Sequence, residues 1–504
     1  MNQGKREEEI RSKRAYYISI FTNWVSYGTT LVPIFFLNVY YDTITNENNN
    51  DWDPETRKDY LSYLCLAYNL GGLAGIIAAF LVSDLNPRGV LNFSRVVIAV
   101  STLFLGINDI RFMLVSRFLS NLFSCVCQIT IIWIVYEIYL VRHQSKIMVA
   151  VGLSTPSCNF LASFSSKFDT GDAWYWRKIL CVMPLALIAS TILDLVATKD
   201  LNSVTYQLRK KGREKTEESL KRVFSQEYSK NLVQKFGKIV QAENKQKAKL
   251  KESGVSQWAL DLLVYKHSFI NIIVIGCLSA FTFQLQFMSN GLLIGSKQLT
   301  HTIETQKTKT ALTTETALEM VSYLAVMALN LTKKRKRSLL TSLFTGWVVL
   351  VTSSVGYYLH NLGLVRLGIV ALSFSFPFFY PALHLYTNDL VPPSLVSMQS
   401  ICNLMVNTVA DSAFPWFFDF EKSSYKLIGR KFAFLALMYL ISFFLVYLWM
   451  IETDGLDRET VRFIMDERTK LRKNKWKSDG FRNLDDYLAT GEEKNNLVSY
   501  IELD

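Results

Sequence analysis

Apolar stretches long enough to cross a bilayer recur from Tyr16 to Met450, interrupted once, near the middle, by a long and strongly charged segment. A helix needs about 20 mostly apolar residues to span the hydrocarbon. About twelve such stretches can be placed, near 16–41, 60–84, 90–107, 112–141, 146–166, 178–197, 268–294, 311–331, 339–359, 364–386, 397–420 and 432–451, and they fall evenly on the two sides of the charged segment. The expected fold is therefore an all-α membrane protein of two six-helix bundles related by pseudo-symmetry.

Half the residues are hydrophobic, while charge is confined to a few connectors and the two ends. The net charge of +12 invites a nucleic-acid reading. The cations instead cluster beside spans, where positive charge sets topology, and no basic patch carries the interleaved aromatics that single-strand binders use. No nucleic-acid partner is expected. The seven cysteines all lie in apolar spans, which argues against a disulfide framework. Cys125 and Cys127, two apart on a helix, point to different faces and make no metal site. Neither a metal nor a cofactor is expected.

The basic residues before Tyr16 resemble the start of a signal peptide, but the apolar part is too long and lacks a small-residue cleavage site, so it reads as a retained span. The N-terminal arm, Arg88, Arg142 with Lys146, the 199–266 segment and the run Lys333 to Arg337 would share one face with both termini. That face is expected to be cytoplasmic, or matrix in a mitochondrial inner membrane; a plasma or organelle membrane fits equally. Lys422, Lys426, Arg430 and Lys431 land on the opposite face, which also receives the acidic connector Asp42 to Asp59. The domain expectation is a basic arm (1–15), a first bundle (16–198), a linker of short amphipathic helices lying on the membrane face (199–266), a second bundle (267–453) and a charged tail (454–504). Two bundles joined by a charged helical tether is the layout of transporters whose halves rock against each other, and no pore loop of a channel is present.

Polar residues inside spans are expensive and tend to face a cavity or another helix. Asn23, Gln128, Asn159, Gln284, Gln286, Asn290, His384, Asn388, Asn407 and Asp411 qualify. Asp411 is a coupling candidate, because an isolated carboxylate in lipid needs a partner or a proton, unless its span begins late and places it near the interface. His384 is a substrate candidate or a structural hydrogen bonder. Pro377 and Pro381 should interrupt the tenth span and free carbonyls toward a cavity. No nucleophile elbow, phosphate loop or zinc-binding HExxH is present, so no enzyme is expected. The tail, with Trp476, Phe481 and Tyr487 among charges, could dock a partner subunit or remain solvated.

Several short strings resemble the major facilitator superfamily, closest to its sugar-porter and organic-ion-transporter branches. Asp84-Leu85-Asn86-Pro87-Arg88 keeps the first acid and last base of the loop after the second span. Arg117 and Glu137 match the base and acid of the fourth span, although Asn121 replaces a glycine and Gln144-Ser145 replace Arg-Gly. Trp176-Arg177, Lys211-Gly212-Arg213, Arg337-Ser338-Leu339-Leu340, Asp389-Leu390-Val391-Pro392 and Glu452-Thr453-Asp454-Gly455-Leu456 match later motifs, with Val396 in place of an arginine. Gln284 to Asn290 aligns with the sugar-porter Gln-Gln-x-x-Gly-x-Asn string, keeping its outer polar pair while Met288 replaces its glycine.

The resemblance implies that Gln284 and Asn290, with Gln286, His384 and Asn159, contact a small polar solute. It also implies that Asp84, Arg88, Arg117, Glu137, Arg142, Arg337 and Asp389 belong to charged networks that latch the two halves at one end. Two loop arginines of those networks are missing, which leaves two readings. One is transport of a sugar-like solute or organic ion by alternating access. The other is a transport-inactive fold serving as an accessory subunit of a larger membrane assembly, such as a respiratory-chain complex. Membrane lipid is a partner in both.

Overall fold

The computed structural model describes residues 10–29, 54–82, 85–107, 109–165, 175–198, 201–253, 262, 265–277, 305–372, 374–391, 425–454, 456, 461 and 464–465; some side chains inside these ranges, including those of Arg142 and Asn159, fall outside the description. The described chain is helical apart from turns and an isolated antiparallel bridge between Ile10 and Phe224. First come α1 (Lys13–Thr29), α2 (Pro54–Leu81), α3 (Pro87–Phe104), α4 (Ile110–Ile138), α5 (Val141–Ser165) and α6 (Tyr175–Ala197). Three shorter or amphipathic helices follow, α7 (Val204–Lys211), α8 (Arg213–Lys221) and α9 (Gln226–Ser253). The rest comprises α10 (Lys266–Ile272) with a π-helical turn (Ile273–Cys277), α11 (Thr305–Leu329), α12 (Arg335–Tyr358), α13 (Leu362–Leu372), α14 (Phe376–Leu390) and α15 (Tyr425–Trp449).

Local chemistry sets these boundaries. Asn86 and Asp109 cap α3 and α4 by accepting from the amides of Arg88 and Arg111, and Pro87 supplies a preset first helical turn. Pro54 starts α2 well before residue 60, so its first turns are polar and project beyond the apolar stretch. Gly212 separates α7 from α8 at φ 78°, a left-handed conformation that glycine adopts without strain.

Among the described residues, Ile110–Ile138, Leu180–Ala197, Arg335–Tyr358 and Lys426–Trp449 reach membrane-spanning length and hydropathy by themselves. Some of the other described helices are diluted by polar inward faces. Helix α1 buries Ser19, Thr22, Asn23, Ser26 and Thr29 on one side and exposes Tyr17 and Phe21 on the other.

Two hydrophobic clusters organise the packing. One draws Ile98, Cys127, Ile131, Ile134, Val135 and Leu187 from the first six helices; the other draws Leu339, Leu343, Leu350, Phe379, Ile428 and Tyr439 from the later ones. Leu220, Val223, Phe224 and Val233 of the connecting helices are buried within the first cluster. The apolar stripe of the connector packs on the first bundle. Each such side chain withdrawn from water contributes about 1.5–3 kcal/mol, which favours burial over an exposed stripe.

Helices α2 and α4 meet backbone to backbone. A Cβ on Gly75 would lie 2.2 Å from the Leu122 carbonyl oxygen, and one on Gly71 2.3 Å from that of Phe118. This small-residue spacing lets two spans approach closely, and Asn121 Nδ2 uses the proximity to donate to the Tyr68 carbonyl at 2.7 Å. The tenth span breaks between α13 and α14, just before Pro377, while Pro381 sits within α14. Two carbonyls beside the break accept from serines: Ser342 donates to Ser375 and Ser338 to Phe378, at 3.0 and 2.7 Å.

Candidate functional site

The helix ends nearest α7–α9, called here the linker face, carry two buried charged clusters. In the first bundle, Asp194 near the end of α6 is fully buried. Arg88, in the first turn of α3, grips it with both prongs, Nε and Nη2 donating at 3.0 Å each. Arg95, two turns along α3, adds Nη1 at 3.2 Å. Thr198 and Thr22 donate to the same carboxylate at 2.8 and 3.2 Å.

The second guanidinium is satisfied as well. Arg95 donates through Nε to Ser26 at 2.6 Å and through Nη1 to Asn92 at 2.7 Å, while Arg88 also reaches Ser19 and the carbonyls of Thr198 and Leu201. Ser19 and Asn23 share the Tyr139 hydroxyl at 2.7 and 3.1 Å. The polar stripe of α1 thus completes the coordination of a buried charge that lipid or apolar packing could not hold.

Glu137, at the end of α4, binds the connector. It accepts from Trp133 at 2.5 Å, from the Ser203 hydroxyl, and from the Thr205 hydroxyl and amide at 2.7 and 3.3 Å. Ser203 is the N-cap of α7, so Glu137 anchors that helix by its amino-terminal end, where a carboxylate is favoured.

The second bundle repeats the plan. Arg335 opens α12 as Arg88 opens α3, and meets Asp454, just beyond α15, at 2.8 Å and Asp389, at the end of α14, at 3.4 Å. Its amide donates to Glu452 at 2.9 Å, and Thr453 donates to Asp389 at 2.7 Å. In each half a base at the start of the third span meets an acid at the end of the last one. Nearby, Tyr386 of α14 donates to Asn271 of α10 at 2.9 Å.

Between the bundles, the contacts at this end among the described residues join small or uncharged side chains. Ser145 of α5 and Thr332, just after α11, share a hydrogen bond at 2.6 Å. One turn deeper Val149 joins the second cluster, and at Gly152 an added Cβ would lie 2.8 Å from a ring carbon of Tyr323. Leu385 of α14 reciprocally joins the first cluster. Ser145 and Gly152 lie seven positions apart on α5, so these contacts extend over about 10 Å of the helix.

Of the residues expected to contact solute, Gln284, Gln286 and Asn290 lie outside the described residues, as does the side chain of Asn159; His384 is half-buried in α14, its carbonyl accepting from Asn388 at 2.8 Å. The coupling candidate Asp411 also lies outside them, together with Asp84 and the Arg142 side chain. Arg88, Glu137 and Asp389, expected to belong to the latch networks, each have partners inside their own half. Arg117 is buried in α4 with its guanidinium 5.8 Å from the Tyr68 ring centre. Arg337 is exposed; the buried cation of that basic run is Arg335, set inward by the helix start. Asp194 and Arg95 escaped the sequence reading, although charges within apolar stretches were the signal that singled out Asp411.

A sequence profile described as the Major Facilitator Superfamily matches residues 16–415. The chain belongs to the major facilitator superfamily. Membership makes it an integral membrane protein of a transporter family rather than an enzyme. Among curated protein sequences, none matches the chain significantly. Solved structures agree on the fold. A doubly tryptophan-substituted XylE superposes with a TM-score of 0.73 at 14% identity, covering 89% of this chain and 99% of the other. The proton:xylose symporter XylE bound to 6-bromo-6-deoxy-D-glucose gives 0.70 at 12% identity over 89% and 99%. The inward open conformation of the xylose transporter XylE from E. coli gives 0.57 at 12% identity over 89% and 98%. Each half of this facilitator thus keeps its own ionic cluster, and the hydrogen bond described between the halves, Ser145 to Thr332, joins side chains without charge.

Proposed function

We propose that this facilitator carries a small polar organic solute, a sugar-like molecule or an organic ion, across its membrane by alternating access. Residues 16–198 and 267–453 are the rocking halves and 199–266 is the tether, which travels with the first half because Glu137 and the Leu220–Phe224 turn bind it there. The linker face, with both termini, lies on the cytoplasmic or matrix side. The observation that carries this reading is the partition of charge. Breaking a buried ion pair costs about 3–5 kcal/mol. With the described ion pairs enclosed in single halves, opening the seam at Ser145 and Thr332 separates neutral groups and exposes no uncompensated charge.

Despite the missing loop arginines, each half retains a buried cation, Arg88 in the first and Arg335 in the second. Gln284 and Asn290, assisted by Gln286, His384 and Asn159, are assigned to the solute, and Asp411 to coupling. The test is uptake into proteoliposomes of labelled xylose, glucose and an organic cation. With Ser145→Cys and Thr332→Cys, oxidation should lock the linker end and stop uptake, and reduction should restore it. Uptake that continues through the locked protein, or no uptake of any tested solute by wild type, would overturn the proposal. Gln284→Ala and Asn290→Ala should each lower uptake without unfolding the protein.

A further inference from the structure

Helix α1 leaves the linker face with a cationic collar above an aromatic ridge. Arg11, Lys13 and Arg14 are all exposed. The Ile10–Phe224 bridge fixes them in place: the amides of Arg11 and Ser12 both donate to the Val223 carbonyl, at 2.8 and 3.0 Å. That pairing sets the arm beside exposed Arg222 of the connector, a neighbour more than 200 residues away in the chain. Tyr16, buried against Phe224 with ring centres 6.1 Å apart, locks the rotation of α1. Its opposite side therefore faces outward.

Down that outward side run Arg14, Tyr17, Phe21 and Trp24, at helical spacings of three and four. Tyr17 is 60% and Phe21 52% exposed, and Phe21 stacks on Trp24 with ring centres 6.1 Å apart. In a membrane-embedded chain such a face meets lipid. The ridge begins one turn below the cations, which is the separation between a phospholipid phosphate and the start of its acyl chains.

We propose that this corner is a binding site for an anionic phospholipid of the linker-side leaflet. The headgroup sits against Arg11, Lys13 and Arg14 beside Arg222, and an acyl chain lies along Tyr17, Phe21 and Trp24. Charge complementarity selects the anionic headgroup, and clustered cations at the membrane face of a span are suited to it. Because Arg11 is held by the connector, occupancy also ties α1 to the α8–α9 turn. Glu7 to Glu9 precede the collar and lie outside the described residues.

The test is native mass spectrometry of the purified full chain released from mixed phosphatidylcholine and phosphatidylserine nanodiscs. Wild type should retain phosphatidylserine in preference to phosphatidylcholine. Each neutralised cation should weaken retention about fivefold, and the triple variant Arg11→Gln, Lys13→Gln, Arg14→Gln roughly 100-fold. A control removing three exposed connector charges, Lys215→Gln, Lys230→Gln and Lys238→Gln, should behave as wild type. If the triple variant does not insert, Arg14→Gln and Tyr17→Ala singly provide the reading, each lowering retention. Inorganic phosphate should not displace the lipid. Equal retention of the two lipids, preference surviving in the triple or single variants, an equal loss in the control, or displacement by phosphate would overturn the site.

Discussion

Replacing Asp194 by alanine should be among the most destabilising single changes available in the first half. The carboxylate is fully buried and receives five donors within 3.2 Å: Nε and Nη2 of Arg88, Nη1 of Arg95, and the Thr198 and Thr22 hydroxyls. Its removal leaves two buried guanidiniums beside each other with no counter-charge. Removing one partner of a buried pair costs about 3–5 kcal/mol, and two orphaned cations place the expectation at the upper end. Arg95→Met should cost less, because Arg88 still holds Asp194 with two prongs. Asp194→Ala should then cost less on the Arg95→Met background than alone, since a single guanidinium is orphaned. The replacement of all three charges by Met, Met and Leu should recover much of the loss. Denaturant unfolding in detergent, followed by tryptophan fluorescence, measures these differences. Exposed Glu218→Ala is the reference and should stay within about 0.5 kcal/mol of wild type. A loss below about 1 kcal/mol for Asp194→Ala, or strictly additive costs in the double variant, would refute the reasoning.

Gly75→Val should separate α2 from α4 by about 1 Å, break the Asn121–Tyr68 hydrogen bond and destabilise by roughly 1–3 kcal/mol, whereas Gly237→Ala, with no atom within 4 Å of the new Cβ, should be neutral or stabilising; thermal unfolding in detergent distinguishes them. Glu137→Ala should release the start of α7, seen as faster tryptic cleavage around Arg209 to Arg213 with little change in the rest of the chain. Arg335→Met should lower stability far more than Arg337→Met, because the first pairs with Asp389 and Asp454 in a buried site and the second is exposed; equal effects would contradict the pairing.

Hydropathy located long helices such as α4, α6, α12 and α15, since every long apolar stretch in lipid must satisfy its backbone internally and a helix does so within one segment. The worn motifs also sufficed for the family, because Arg117, Glu137 and the Lys211–Arg213 turn keep their type and spacing in the chain. What hydropathy could not supply was partnership. Arg88 was legible as a loop base, yet its counter-charge is more than 100 residues away on α6, and only packing of α3 on α6 brings them together. The choice of Arg335 over Arg337 depended on which side of the first turn of α12 faces the bundle, and the fate of the connector depended on whether its stripe of Leu220, Val223 and Phe224 met lipid or protein. The sequence determined that this chain enters a membrane as a transporter-like array of helices, because that follows from the free energy of each segment in hydrocarbon. The tertiary structure decided which of the described charges pair within a half and that Ser145 meets Thr332 between the halves, because those depend on distances between segments that no local pattern encodes.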